Sequence, residues 1–429
     1  MLKNKFKLLI IILLTVISTI NSLNAQNRIH SPYSRFGLGD LQPYSNSQYV
    51  AMGGIGYAIG SSTSVNFLNP ASYTKFDSLS FIFEGGMLSN FTTLETSTLS
   101  QKSNYTSLSY LTFGFPINSW WKASFGLLPF SSVGYKITDH QVDPNFGNVD
   151  FKYEGQGGIN QFFIGQAIKI NSNLSFGVNV SYLFGTVDKI RSIHPLDSAY
   201  VFDVKVKNSI TYGNFNFNFG LQYFKNLKND YIFGSGIVFS NAMNSSVKED
   251  YLAYSFSETS SGYEYIHDTS LIAKESDIKS DIHLPLSLGI GLSLEKRNKW
   301  LIGADFNWQN WESYTYNDVK DSLSNSIRIS IGGMIKPNIY STNYLKRITY
   351  KAGFRYSPTY LKLDGEQIDE FGISFGVGLP LRKSKSTINL GVEIGKRGTT
   401  NNGLISENFT KFTIGFSAYD FWFYKRKFD

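Results

Sequence analysis

Asn214-Phe215-Asn216-Phe217-Asn218-Phe219-Gly220 and Ile388-Asn389-Leu390-Gly391-Val392-Glu393-Ile394-Gly395 each alternate an apolar residue with a small or polar one. Successive side chains of a β-strand point to opposite faces, so both stretches read as strands with one greasy and one polar face. The pattern recurs in about fourteen segments, at roughly 78–88, 104–115, 120–131, 156–170, 173–186, 210–224, 229–240, 282–295, 299–310, 325–336, 347–357, 370–381, 386–396 and 408–419. Most reach the ten or so residues that a tilted strand needs to cross a bilayer. The expected fold is all-β: a 14-stranded antiparallel transmembrane β-barrel of the outer membrane, with a polar lumen.

The connections support a barrel with two unlike ends. Short ones at 116–119, 171–172, 225–228, 296–298 and 382–385, with a longer one at 337–346, alternate with polar stretches at 89–103, 132–155, 187–209, 241–281, 311–324, 358–369 and 397–407. Outer-membrane barrels have short periplasmic turns and longer external loops. A soluble sandwich or propeller has no reason to gather every long loop at one end.

The N-terminus points to export. Lys3, Lys5 and Lys7 precede an apolar run from Leu8 to Ile20 and a small-residue site at Leu23-Asn24-Ala25. That order is expected of a cleaved signal peptide over 1–25, and no Cys follows to carry a lipid anchor. The chain has no Cys at all, which excludes disulfides, thiolate metal sites and Cys nucleophiles. The formal net charge is +7, three of it from those lysines, too mild and scattered for a nucleic-acid partner. Aromatic residues make up 16% of the chain, mostly Tyr and Phe, which suits the interfacial girdles of a barrel. Asp420-Phe421-Trp422-Phe423 followed by Lys425-Arg426-Lys427 reads as a strand end anchored at the periplasmic interface.

From Gln26 to about Asp77 the alternation is absent. Here Ala51-Met52-Gly53-Gly54-Ile55-Gly56-Tyr57-Ala58 and Asn66-Phe67-Leu68-Asn69-Pro70-Ala71-Ser72 resemble the N-terminal hatch of the FadL/TodX family of long-chain fatty acid and hydrocarbon transporters. The resemblance implies a hatch over 26–77 inside a barrel over 78–429, with Gly53, Gly54, Gly56, Asn69, Pro70 and Ala71 in the hatch. It also implies a kink in the third strand that opens the wall sideways. The opening Ser31-Pro32-Tyr33-Ser34-Arg35-Phe36-Gly37-Leu38-Gly39 looks like a related group that includes a barrel working in protein secretion. The residues agree with a packed, turning segment: Pro removes a donor and fixes φ, while glycine permits close approach and positive φ.

Within the third strand, Pro129 cannot donate to a ladder, so Gly126, Pro129 and Gly134 form a candidate lateral gate. The alternative is that Pro129 ends the strand at the outer rim. Alternation directs Asn216, Asn218, Asp305, Asn307, Gln309, Arg328, Lys351, Arg355 and Glu393 inward. Buried charges need partners, so Arg328, Lys351 and Arg355 are expected to pair with Asp305, Glu393 or hatch groups. Asp305, Arg328, Lys351, Arg355 and Glu393 are also the candidate ligand contacts. Asp364, Glu366, Asp369 and Glu370, in or beside an outer loop, read as a solvated acidic loop rather than a divalent-cation site.

Several motifs fail on context. Gly372-Ile373-Ser374-Phe375-Gly376 fits a nucleophile elbow, but its Ser lies within an alternating strand rather than at a strand-to-helix turn. The five His residues lack metal-ligand spacing. No enzyme site, cofactor or metal is expected. The first functional expectation is a monomeric channel for passive uptake of hydrophobic compounds such as long-chain fatty acids, in contact with outer-membrane lipid. Tyr251, Tyr254, Phe256, Tyr263 and Tyr265 in the 241–281 stretch would either floor a capture groove or pack on their neighbours. The alternative is a non-transporting barrel that docks or shuttles secreted proteins. A general porin is disfavoured by the obstructing hatch. A continuous apolar tunnel would favour transport; a salt-bridged, filled lumen with a loop platform would favour docking.

Overall fold

The computed structural model describes residues 31–42, 45–197, 201–259, 263–320 and 323–422. The expected signal peptide, and the terminal Phe423 with Lys425 to Lys427, lie outside these residues. After β1 (Asp40–Leu41) in the N-terminal segment, the chain forms β2 (Ser80–Glu95), β3 (Ser100–Pro116), β4 (Trp121–Asp143), β5 (Gly147–Lys169), β6 (Leu174–Pro195), β7 (Asp203–Asn226) and β8 (Tyr231–Ser240). Next come β9 (Met243–Glu258), β10 (Glu264–Leu284), β11 (Ser287–Lys296), β12 (Trp300–Gln309), β13 (Thr315–Tyr316) and β14 (Val319–Lys320). The chain ends in β15 (Ser326–Ile335), β16 (Thr349–Leu363), β17 (Glu366–Pro380), β18 (Thr387–Arg397) and β19 (Ser406–Phe421).

Fourteen of these, β2 to β8, β11, β12 and β15 to β19, pair antiparallel with their neighbours around the wall. The last strand returns to the first, from Ser406 opposite Glu95 to Phe421 opposite Ser80, so the sheet closes and has no outer edge to leave unpaired in lipid. The alternation works as expected at bilayer level. Phe215, Phe217 and Leu221 on β7, or Phe412, Ile414 and Phe416 on β19, are exposed on the outside. Their neighbours Gly220, Gln222 and Thr413 are buried inside.

Strand lengths differ sharply around the wall. β12 and β15 have ten residues each, whereas β4, β5, β6 and β7 have 23, 23, 22 and 24. At ~3.3 Å per residue, 24 residues make roughly 80 Å of strand, far more than a bilayer takes up even with tilt. β9 and β10 continue the wall, β9 pairing with the outer part of β7. One side of the barrel therefore stands well clear of the membrane.

This corrects the expected loops. The polar stretches at 132–155, 187–209 and 241–281 are mostly hydrogen-bonded hairpin, and 89–103 and 358–369 shrink to tight turns. Above the membrane both faces of a strand can meet water. The side-chain alternation then fades while the backbone ladder continues. The segment expected at 282–295 is also divided: Leu284 ends β10, and the barrel strand begins at Ser287 beyond Pro285.

Candidate functional site

Ser31 to Leu79 threads the lumen. Short caps hold its turns: Asn46 Oδ1 accepts from Gln48 N and Tyr49 N at 3.1 and 3.2 Å. Asn69 Oδ1 accepts from Ala71 N at 3.1 Å at the start of the 3-10 helix Pro70–Lys75, with Pro70 where a backbone donor would be orphaned anyway. Asn66 Nδ2 donates to the carbonyls of Gly56 and Ile59 at 2.7 and 2.8 Å, fastening the glycine-rich run to the Asn-Pro-Ala turn. Gly53 and Gly54 adopt φ of 70° and 79°, a region that L side chains avoid.

Inward side chains of the wall bond this segment's backbone directly. Asp305 Oδ2 accepts from Gly56 N and Tyr57 N at 2.7 and 3.0 Å. Gly53 N donates to Ser374 Oγ at 2.8 Å, Ser293 Oγ to the Ala58 carbonyl at 2.7 Å, and Gln222 Nε2 to the Tyr57 carbonyl at 2.9 Å. Glu84 accepts from Val65 N at 2.9 Å and from Ser417 Oγ. The serine of the spurious nucleophile-elbow motif is thus a fastening for the plug.

Above the plug lies an ionic cluster. Arg355 bridges Glu370 and Glu393, the latter at 2.6 Å. Arg397 Nη1 lies 2.8 Å from Asp40 and 3.9 Å from Glu407, and Ser31 Oγ donates to Glu407 at 2.5 Å. Lys411 lies 3.8 Å from Glu370. The cluster borders a cavity of about 300 Å³ whose lining also includes Arg328, Asn307, Gln309, Asn216 and Asn218.

The outer end is filled. Tyr33 and Leu38 of the N-terminal segment pack with Val133, Tyr135, Val187 and Ile210 of the long wall. Trp311 and Tyr314 complete this core from the connection after β12, with Tyr360 and Leu361 from β16. Trp311 stacks on Tyr360 at 4.5 Å between ring centroids, and Tyr360 Oη donates to the Gly39 carbonyl at 2.6 Å. The lumen therefore has an apolar cap, a charged cavity and a bonded plug, in that order from outside inward.

The candidate residues do not gather in one place. Gly53, Gly54, Gly56, Asn69, Pro70 and Ala71 lie in the plug; Asp305, Arg328, Arg355 and Glu393 line or adjoin the cavity. Lys351 is buried but bonds Asn389 Oδ1 at 2.7 Å rather than a carboxylate, which corrects its expected ion pair. Glu370, the first residue of the expected strand 370–381 and grouped there with the acidic loop, faces the lumen and bonds Arg355; its strand, β17, begins four residues earlier. Asp364 and Asp369 stay outside the cluster, and no group of three or more metal-ligating side chains occurs among the described residues.

Glu84, Arg397, Glu407 and Lys411 are among the inward charges for which no inward place was expected. Arg397 stands four positions after Glu393, on the same face, so the alternation carried a signal for it.

Pro129 does not end its strand, since β4 runs on to Asp143. The β3–β4 ladder stops at Leu111 opposite Leu127, and the β4–β5 register shifts between Pro129 and Ser131. Beyond that point β4 pairs with β1 of the N-terminal segment, Ser132 opposite Asp40. Gly126 sits before the break and Gly134 after it. The wall is thus interrupted between β3 and β4, with the plug's own strand behind the interruption.

The model of the BamG family matches residues 1–429. No curated protein matches the sequence. Among solved structures, the Ralstonia pickettii toluene transporter TbuX aligns with TM-score 0.59 at 14% identity, covering 89% of this chain and 99% of its own. The Pseudomonas putida toluene transporter TodX aligns with TM-score 0.58 at 18% identity, covering 90% and 99%. The CymD monoaromatic hydrocarbon channel gives 0.58 at 14% identity, covering 91% and 100%. At such identities the likeness speaks for the FadL-type outer-membrane barrel fold.

Proposed function

Given that the chain belongs to the BamG family, we propose that this plugged outer-membrane barrel, exported by a cleaved signal peptide, docks a protein on its protruding wall. The observation that carries this reading is the apolar cap: side chains of the wall and plug pack together in the outer mouth. The long wall itself is accessible from outside. Its three hairpin tips carry exposed apolar residues: Val142 and Phe146, then Leu196 and Phe202, then Tyr263 and Tyr265. Exposed apolar side chains with polar surroundings suit a protein partner. Phe256 is buried in the same wall, beneath Lys205.

The test removes the β9–β10 hairpin. Ser240 lies directly opposite Ser287, so replacing residues 243–284 by an Asn-Gly turn keeps the β8–β11 ladder while removing the hairpin together with its Val247 and Ile282 from the cap. Crosslinking in native membranes is expected to trap a stoichiometric protein on the full chain and to lose it on the shortened one. Both should keep the heat-sensitive gel migration of a folded barrel. A full chain that traps no protein but co-purifies with a fatty acid would reverse the reading.

A second reading, uptake of hydrophobic compounds, is favoured by the interruption between β3 and β4 beside the cavity. Here Gly126, Pro129 and Gly134 would shape a lateral exit, and Arg328 or Arg355 would meet an acidic headgroup. Pro129→Val should then lower uptake several-fold without changing barrel stability. Unchanged uptake of a labelled fatty acid by cells carrying the variant would remove the gate.

A further inference from the structure

We propose that the outer surface of β17, β18, β19, β2 and β3 holds a phosphate-bearing, multiply acylated lipid of the outer leaflet. A groove of about 840 Å³ lies on this lipid-facing surface, away from the lumen. Its floor is apolar: Phe91, Phe371, Ile373, Phe375 and Ile394 all point outward and are exposed. Its rim, on the loop side, is one row of residues across four neighbouring strands. Lys396 lies opposite Asn408, Asn408 opposite Thr93, and Thr93 opposite Lys102.

That register gives the site its chemistry. The row stands at the level where the apolar band ends and the headgroup region begins, with a cation at each end. Strands ~4.8 Å apart put the two lysine backbones about 14 Å from one another. Each long side chain can lean toward a different end of one bulky headgroup while its stem lies on apolar surface. Asn408 and Thr93 supply polar contacts between them, and Asn408 Nδ2 also engages Glu95 at 3.0 Å, one row further out. Neither lysine forms an ion pair among the described residues.

A single free phosphate would use one lysine and leave the floor bare. A single-chain fatty acid would use the floor and one lysine. A disaccharide lipid with a phosphate at each end and several acyl chains uses the whole groove. Cations at the membrane surface attract anionic headgroups, and acyl chains seek an apolar face.

The barrel is purified in mild detergent and offered a bis-phosphorylated disaccharide lipid, its dephosphorylated form, or inorganic phosphate, with bound lipid counted by native mass spectrometry. The phosphorylated lipid is expected to bind the unaltered barrel at least about tenfold more tightly than Lys102→Gln/Lys396→Gln does. Phe375→Ser should weaken both lipid forms. Both variants lie on the exposed outer face, and heat-sensitive migration reports their folding. Equal retention by the lysine variant, equal binding of the dephosphorylated lipid, or displacement of the lipid by inorganic phosphate would each overturn the proposal.

Discussion

Gly353→Leu is expected to expel the plug and turn a closed barrel into a conducting one. An added Cβ at Gly353 would lie 2.1 Å from the Met52 carbonyl carbon and 2.2 Å from Gly53 N, both backbone atoms that no side-chain rotation can move. The opposing wall cannot yield either, because Gly353 is paired with Gly332 on one side and Ser374 on the other. The facing Gly332 has the same constraint, its Cβ position being 2.1 Å from the Met52 carbonyl oxygen. The plug is the part with freedom to shift. In planar bilayers, conductance should rise by about an order of magnitude or more over the unaltered protein, as expected when a fourteen-strand lumen is unblocked. A folded variant with unchanged conductance would show that the plug is not wedged there.

Arg355→Met is expected to cost the barrel about 3–5 kcal/mol, the usual consequence of leaving buried charge without its partner. Glu370 and Glu393 would then face each other with only Lys411 and Arg397 near Glu370. Urea unfolding from lipid vesicles would measure the loss. Arg355→Met combined with Glu393→Gln should recover much of it, because one stranded charge is gone. Arg397→Met acts differently: it frees Asp40 and Glu407, which tie the N-terminal segment to the wall. Proteolysis of the segment should accelerate in that variant more than in Arg355→Met. Similar proteolysis in both would mean that Arg397 is not a latch for the plug.

The barrel was legible in the sequence because lipid imposes a strict rule. In the bilayer every second side chain must be apolar, so Phe215, Phe217 and Phe219 or Ile388, Leu390 and Val392 announce their strands. The turns of the N-terminal segment rest on glycines and Asn-Pro, whose backbone requirements are local. Gly53 and Gly54 do take positive φ, and Asn69 does cap a turn.

The candidate site was only partly legible. Asp305 could be placed inward by parity, but nothing in its neighbourhood says that it accepts from Gly56 N and Tyr57 N, some 250 residues earlier. Glu370 was grouped with a loop because its strand begins in water, where parity has no apolar mark. The long wall suffered likewise: His140, Lys152 and Lys205 lie in strands that no solvent rule distinguishes from loops.

The amino-acid sequence by itself determined the all-β class, the fourteen crossings, which face of each strand meets lipid, and the existence of an irregular N-terminal insert. Those follow from local preferences and from a solvent that tests each residue separately. Tertiary structure alone decided that the outer mouth is capped by Trp311, Tyr360 and Leu38, that the charges of four strands and the plug meet in one cluster, and that Lys102 and Lys396 end one row. These depend on ring closure and register, which bring distant residues together through backbone pairing that leaves no periodic trace in the chain.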